Sequence, residues 1–282
     1  AAEILHDHGF GWVAYLAGGF DEWRRRGRPM EVPEEASANA RFARQIALPG
    51  FGESAQEKLR TATVAIVGVG GLGASAALHL GSAGVGTLRL IDGDVVDITN
   101  LHRQPIHDES GIGRPKVEVA ADRLVAINGQ VTVETHQTVL EPSNAVRLLA
   151  GADVVVDATD RIPARYATND AAIALGIPLV HASVFRFEGR LSVFSPPTGP
   201  CYRCLHPVEP EPGSVPSCEV AGVLGVVPGV VGTMEATEAI KLITGIGTPL
   251  VGAVLVYDAL TQESLTFRVP RDPDCVSCGS LS

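Results

Sequence analysis

The chain has 282 residues, 45% of them hydrophobic, 19% charged and 5% aromatic, with 31 Gly, 19 Pro and 5 Cys. That length and hydrophobic content suit one large domain with a fragment attached. They exclude a disordered chain, which buries too little apolar surface to offset its ordering entropy. The 22 basic and 32 acidic residues leave a formal charge of −10, which argues against non-specific binding to nucleic acid or anionic lipid.

In chain order, the first segment is separable. Ala2 to His8 reads as the end of a helix stopped at Gly9, Trp12 to Leu16 as a short strand, and Asp21 to Arg26 as a helix. That helix places acids first and bases last, as its dipole favours. Residues 1–32 therefore form one segment and residues 33–40, opening on Pro33, a linker. A piece this small cannot bury a core alone. The chain opens Ala1-Ala2-Glu3 without Met, which points to a start inside a longer protein. No signal peptide is read. The longest apolar stretch, Val220 to Met234, is broken by glycines and Pro228 and falls short of the roughly 20 residues a bilayer requires. The expected compartment is a reducing cytoplasm.

From Phe42 onward strands and helices alternate. Val64 to Val67 is an apolar strand ended by glycines, followed by a helix from Leu72 to Ala83 and a strand from Leu88 to Ile91. A helix from Lys116 to Ile127 carries Val117, Ala121 and Leu124 on one face and stops at Asn128-Gly129. Val131, Val133 and Thr135 alternate as a strand, a short helix follows Pro142, and Val154 to Val156 is another buried strand. A helix with Pro163 in its first turn runs to Gly176. Strands follow at Leu179 to Ser183, Leu191 to Phe194, Val254 to Tyr257 and Ser264 to Val269. Apolar strands separated by helices predict a Rossmann-like α/β fold, a mixed but mostly parallel sheet with helices on both faces.

Gly68-Val69-Gly70-Gly71-Leu72-Gly73 is a G-x-G-x-x-G directly after a strand and opening a helix. Glycines let the backbone approach a phosphate, and the helix N-terminus offers N–H donors. Asp92, at the end of the next strand, is placed to bind ribose hydroxyls. Alone, this fingerprint suggests NAD and an oxidoreductase. The residues that follow do not suit hydride transfer. Asp92-Gly93-Asp94, Asn100-Leu101-His102-Arg103-Gln104, Lys116 and Asp157-Ala158-Thr159-Asp160 gather cations and acids at strand ends and helix starts. Phosphoryl or nucleotidyl transfer uses such a set: cations neutralise phosphate charge and a carboxylate holds Mg²⁺.

Five cysteines are too few for a disulfide scaffold. Cys201-Tyr202-Arg203-Cys204 and Cys275-Val276-Ser277-Cys278 are two C-x-x-C knuckles, and four thiolates complete a closed, structural Zn²⁺ site that clips the C-terminal region onto the chain near residue 200. A redox C-x-x-C motif is the rival reading, but redox motifs rarely come paired. Subtraction leaves Cys218, read either as a small buried residue or as a reactive thiolate on a loop.

Arg41-Phe42-Ala43-Arg44-Gln45, the glycine loop, the 100–104 motif, Lys116, Asp157-x-x-Asp160, both cysteine pairs and Gly232 to Lys241 occur in this order. This ordered set resembles the MoeB/ThiF/HesA family, bacterial relatives of ubiquitin-activating enzymes, over Ala38 to Gly279. The resemblance implies ATP-dependent adenylation of the C-terminal glycine carboxylate of a ubiquitin-like sulfur-carrier protein of MoaD/ThiS type, with release of pyrophosphate. It implies that Gly68, Gly70, Gly71 and Gly73 approach the nucleotide, that Asp92 and Asp94 belong to its site, and that Asn100, Arg103 and Lys116 bind phosphates. Asp160 would hold Mg²⁺, and Arg44 would reach ATP in a partner subunit, making a homodimer. Cys218 matches a cysteine that in some members bonds to the carrier or relays sulfur from a donor. The chain departs from the family pattern at Arg161, at Glu188-Gly189-Arg190 and at Gly225 to Pro228.

The N-terminal segment, with Leu16-Ala17-Gly18-Gly19-Phe20-x-x-Trp23 and Gly27-x-Pro29, is similar to the last strand and helix of rhodanese sulfurtransferases. The expected parent is a rhodanese–adenylyltransferase fusion; a degenerate remnant serving as a scaffold is the competing reading. Two other functions compete with adenylation: an NAD-dependent oxidoreductase, favoured by the glycine loop alone, and a non-catalytic, zinc-stabilised scaffold that binds nucleotide or carrier. Arg103, Lys116 and Asp160 have no use in the oxidoreductase.

Overall fold

Val64-Ala65-Ile66-Val67 offers an apolar side chain to each face of a sheet, and it forms the interior strand β1 (Thr63–Val67), buried on both sides. The computed structural model describes residues 39–211 and 221–281, together with Glu22, Trp23, Arg26 and Ser214. The chain divides into two units, Ala1–Ala43 and Arg44–Ser282. In the first, Glu22 and Trp23 are helical and Arg26 N–H donates to Glu22 C=O at 3.1 Å. The other readings made for residues 1–32, and most of the linker, lie outside the described residues.

The second unit alternates as its apolar pattern predicts. After α1 (Gly52–Thr61) and β1 come α2 (Gly71–Ala83), β2 (Thr87–Ile91), α3 (Lys116–Ile127), β3 (Thr132–His136), α4 (Ala145–Leu149), β4 (Val154–Asp157) and α5 (Ile162–Leu175). Then follow β5 (Leu179–Phe185), β6 (Glu188–Phe194), α6 (Tyr202–Leu205), α7 (Val226–Thr244), β7 (Ala253–Asp258) and β8 (Glu263–Arg268). One eight-stranded sheet has the order β3-β2-β1-β4-β5-β6-β7-β8. Its first five strands are parallel, and β6, β7 and β8 join antiparallel.

Alternate strand residues feed two cores, because successive Cβ atoms point to opposite faces. Val64, Ile66, Leu88, Leu90, Val154 and Val156 pack with α1, α2, α3 and α7. Ala65, Val67, Ile91, Val155 and Leu179 pack with α4 and α5.

The glycine-broken stretch from Val220 to Met234 turns out to supply the first half of the 19-residue helix α7. Glycine inside a helix costs about 1 kcal/mol relative to Ala. Here close packing requires it: a Cβ on Gly232 would lie 2.3 Å from the carbonyl oxygen of Leu72 in α2. Among the described residues no helix is long and apolar enough to cross a membrane.

Candidate functional site

The strand order reverses beside β1: β2 lies on one side and β4 on the other. At such a switch point the loops after the two strands diverge and leave a crevice at the carboxyl edge of the sheet. A cleft of about 600 Å³ opens there. Its walls include the glycine loop after β1, Asp92 and Asp94 after β2, the arm carrying Asn100 and Arg103, Lys116, residues 138–140 and residues 158–161 after β4.

The glycine loop follows β1 because Gly68 adopts φ +88° and its N–H donates 2.8 Å to the carbonyl of Ile91. Gly68, Gly70, Gly71 and Leu72 line the cleft, and Gly70 caps α2 without a side chain, so the first helical N–H groups remain for a ligand. Gly73 is not among the residues that line the cleft. It faces the loop from beneath, where a Cβ would lie 1.9 Å from the carbonyl oxygen of Gly68. Its role is to let α2 pack against its own entry turn.

Asp92 shapes this loop as well as facing the cleft. Its Oδ2 accepts from Val69 N–H at 2.7 Å and its Oδ1 from Asp94 N–H at 2.8 Å. Burial raises its carboxyl above the ordinary value, while Lys116 and the two amides pull the other way. Asp94 accepts from Lys116 Nζ at 3.0 Å and lies 3.5 Å from Arg161 Nη2. Lys116 is buried and opens α3, with its N–H on the carbonyl of Asp94. Asn100 closes a capping box with Asp97, whose N–H donates to Asn100 Oδ1 at 3.2 Å; its Nδ2 donors are what it offers a ligand. The Arg103 guanidinium donates to the carbonyl of Thr99 at 2.8 Å and contacts His102 Nε2 at 2.9 Å. Asp160 is exposed and lines the cleft. The fold thus brings Asp92, Asp94, Asn100, Arg103, Lys116 and Asp160 together. Arg44 is exposed and does not line the cleft, and Cys218 lies outside the described residues.

The sequence reading noted Arg161 only as a departure from the family pattern and did not single out Arg165, His107 or Glu235. Arg161 and Arg165, one helical turn apart, add cations to the cleft wall at the start of α5. His107 is buried under the glycine loop, and burial lowers its pKa. Asp157, quoted only as the start of a motif, is wholly buried against His181 rather than in the cleft. Near Asp157, burial and then the Asp157 charge hold the Glu235 carboxyl of α7 far above its ordinary pKa, with the Ala182 backbone pulling the other way. No local pattern marks these last residues.

The four knuckle cysteines converge although the pairs are 74 residues apart: Cys201 and Cys275 sulfurs are 3.6 Å apart, and those of Cys204 and Cys278 3.5 Å. Four sulfurs around one ion at the usual zinc–sulfur length are about 3.8 Å from each other. Among the described residues this is the one cluster of its kind that could hold a metal ion. Asp272 N–H points at Cys204 Sγ at 3.4 Å, the kind of amide contact that stabilises a metal-bound thiolate.

The fold is Rossmann-like, and its cleft at the sheet's switch point is lined by a glycine loop, cations and acids. The chain matches the ThiF family over residues 42–277 and belongs to it. It is 47% identical over 244 residues to a sulfur carrier protein adenylyltransferase of Thermus thermophilus, covering 85% of this chain and 90% of that protein. It is 44% identical over 250 residues to a SAMP-activating enzyme E1 of Haloferax volcanii, covering 89% and 92%. A probable adenylyltransferase/sulfurtransferase MoeZ of Mycobacterium tuberculosis is 47% identical over 252 residues, and there the match spans 87% of this chain but 64% of the relative. The crystal structure of E. coli MccB shares the fold with a TM-score of 0.75 at 21% identity, covering 89% of this chain and 81% of that one.

Proposed function

We propose that the chain uses ATP to adenylate the C-terminal glycine carboxylate of a ubiquitin-like sulfur-carrier protein of MoaD/ThiS type and releases pyrophosphate. The observation that carries the reading is the lining of the cleft, which combines the backbone of the glycine loop with Asp160 and with Arg103, Lys116 and Arg161, the last two paired to Asp94. The high identity to a sulfur carrier protein adenylyltransferase supports the same chemistry.

A carboxylate oxygen of the carrier tail attacks the α-phosphorus. The bond from that phosphorus to its bridging oxygen breaks, and the electron pair leaves on pyrophosphate. The nucleophile is already ionised at neutral pH, so the protein supplies alignment and charge neutralisation rather than a base. Asp92 would take the ribose, Asn100, Arg103 and Lys116 the phosphates, and Lys116 would exchange Asp94 for the more highly charged ligand. Mg²⁺ held by Asp160 would neutralise charge on the phosphates. Zn²⁺ would sit among Cys201, Cys204, Cys275 and Cys278 as a closed structural ion, a fit supported by the sulfur separations.

The working unit in this reading is a cytoplasmic homodimer, with Arg44 of each subunit reaching its partner's nucleotide. Cys218 would receive sulfur or the carrier, and residues 1–32 would belong to a rhodanese-like domain that acts as sulfur donor. ATP–pyrophosphate exchange tests the reading. Exchange must require both Mg²⁺ and a carrier ending in Gly-Gly, and Asp160→Ala must abolish it. Binding of carrier with no exchange would favour the scaffold, and nicotinamide binding would favour the oxidoreductase.

A further inference from the structure

The middle residue of the glycine loop has both backbone polar groups taken by side chains from different segments. Val69 is fully buried, its N–H donates to Asp92 Oδ2 at 2.7 Å, and its carbonyl oxygen lies 3.2 Å from His107 Nε2. A carbonyl only accepts, so His107 Nε2 carries the hydrogen. Nδ1 then holds a bare lone pair, and among the described residues it has no partner.

His107 belongs to the arm that carries Asn100 and Arg103. Its N–H donates to the carbonyl of Gln104 at 3.0 Å, and the amides of Gln104 and Arg103 both donate to the carbonyl of Asn100, at 3.1 and 3.0 Å. Arm and loop also touch along their backbones: a Cβ on Gly71 would lie 3.3 Å from the carbonyl oxygen of Arg103. The imidazole is thus the side-chain tie between the wall that receives phosphates and the arm that delivers a guanidinium to them.

We infer that His107 is a positioning residue, which fixes Arg103 relative to a nucleotide on the glycine loop by donating its Nε2–H to the carbonyl of Val69. The inference rests on the adenylation reading and deepens it. Ground-state ATP would be held mainly by the loop, whereas Arg103 acts on charge that grows on the departing pyrophosphate. Losing the tie therefore affects the transition state more than binding.

Three measurements on the full chain test this. Ring ¹⁵N spectra at neutral pH, with the His107 signal identified by its loss in His107→Gln, must report a protonated Nε2 and a bare Nδ1; an Nδ1–H tautomer or an imidazolium overturns the inference. In pyrophosphate exchange, His107→Phe must lower kcat by roughly tenfold or more with KM for ATP changed less than about threefold. His107→Gln, which keeps an amide donor, must recover most of that loss. Unchanged kcat in His107→Phe, or equal losses in both variants, overturns it. A wild-type chain that exchanges no pyrophosphate would sink the adenylation reading separately. The tie is then judged by the tautomer and by amide hydrogen exchange, where residues 68–73 and 99–107 must lose protection together in His107→Phe and keep it in His107→Gln. If His107→Phe does not fold, the tautomer and the His107→Gln kinetics decide.

Discussion

His181 and Asp157 are register partners on β5 and β4, and their side chains meet with Nδ1 2.8 Å from Oδ2, both buried. Burial pushes the His181 pKa down, against the pull of the carboxylate. The neutral ring donates its Nδ1–H, while Asp157 Oδ1 accepts from Thr159 N–H at 3.3 Å and so shapes the turn leading to Asp160. An unfolded histidine takes up a proton near pH 6.5, which the folded His181 and His107 resist. Their contribution is complete above that pH and declines as the pH falls through their lowered folded values. Urea midpoints should therefore drop as the pH falls below about 6.5, where the unfolded chain begins to take up protons that these two rings resist. His181→Asn keeps a donor to Asp157 without the titration and should flatten the dependence. A midpoint that is level across this range would exclude the account.

Glu235 has the opposite sign. Its folded pKa is raised well above 4.5, so its contribution is complete below 4.5 and is lost as the pH rises, because the unfolded chain ionises first. Glu235→Gln is neutral in both states. Its melting temperature should exceed that of the natural chain near pH 8, and the advantage should shrink towards pH 5. An advantage that does not grow with pH would refute the protonated carboxyl.

Two glycines in the same loop should fail differently. At Gly70 the nearest atom to an added Cβ is Gln104 Nε2 at 3.7 Å, so Gly70→Ala should fold with little loss and weaken ATP binding by calorimetry. At Gly73 the Cβ would meet the Gly68 carbonyl, and overpacking of this kind costs about 1–3 kcal/mol or more. Gly73→Ala should lower the melting temperature before any ligand is added. Equal stability in both variants would contradict the division of roles.

The cysteine cluster predicts one zinc per chain, measurable by elemental analysis. Zinc binding displaces thiol protons, so the ion contributes more as the pH rises, and its complete removal by a chelator should lower the melting temperature more at pH 8 than at pH 6. Cys278→Ser should lose the ion and loosen the tail that Arg271 holds through the carbonyl of Gly279 at 3.3 Å. A full zinc content in Cys278→Ser would show that these sulfurs are not the ligands.

Much of this was legible from the sequence because it is local. Lys116 to Ile127 is predicted and observed as the same helix, since its apolar spacing, its position after Pro115 and Asn128-Gly129 all act within a few residues. The strand at Val131 to Thr135 is displaced by one residue to Thr132–His136, with Val131 buried just before it, because pairing to β2 sets the register and alternation alone does not. The α7 helix was hidden by glycines whose use appears only when α2 lies against them.

The sequence by itself determined the order of elements, the glycine loop with its following helix, the acids and cations at the strand ends, and two thiol pairs with metal-ligand spacing. Periodicity and short-range spacing carry all of these. The tertiary structure decided which of them meet. Reversal of strand order beside β1 gathers Asp92, Arg103, Lys116 and Asp160 around one cleft, and folding brings sulfurs 74 residues apart to 3.5 Å. It also sends Asp157 inward to His181, and it packs Gly73 against the Gly68 carbonyl. Burial and contact depend on what distant segments place beside a residue, and no local pattern holds that information.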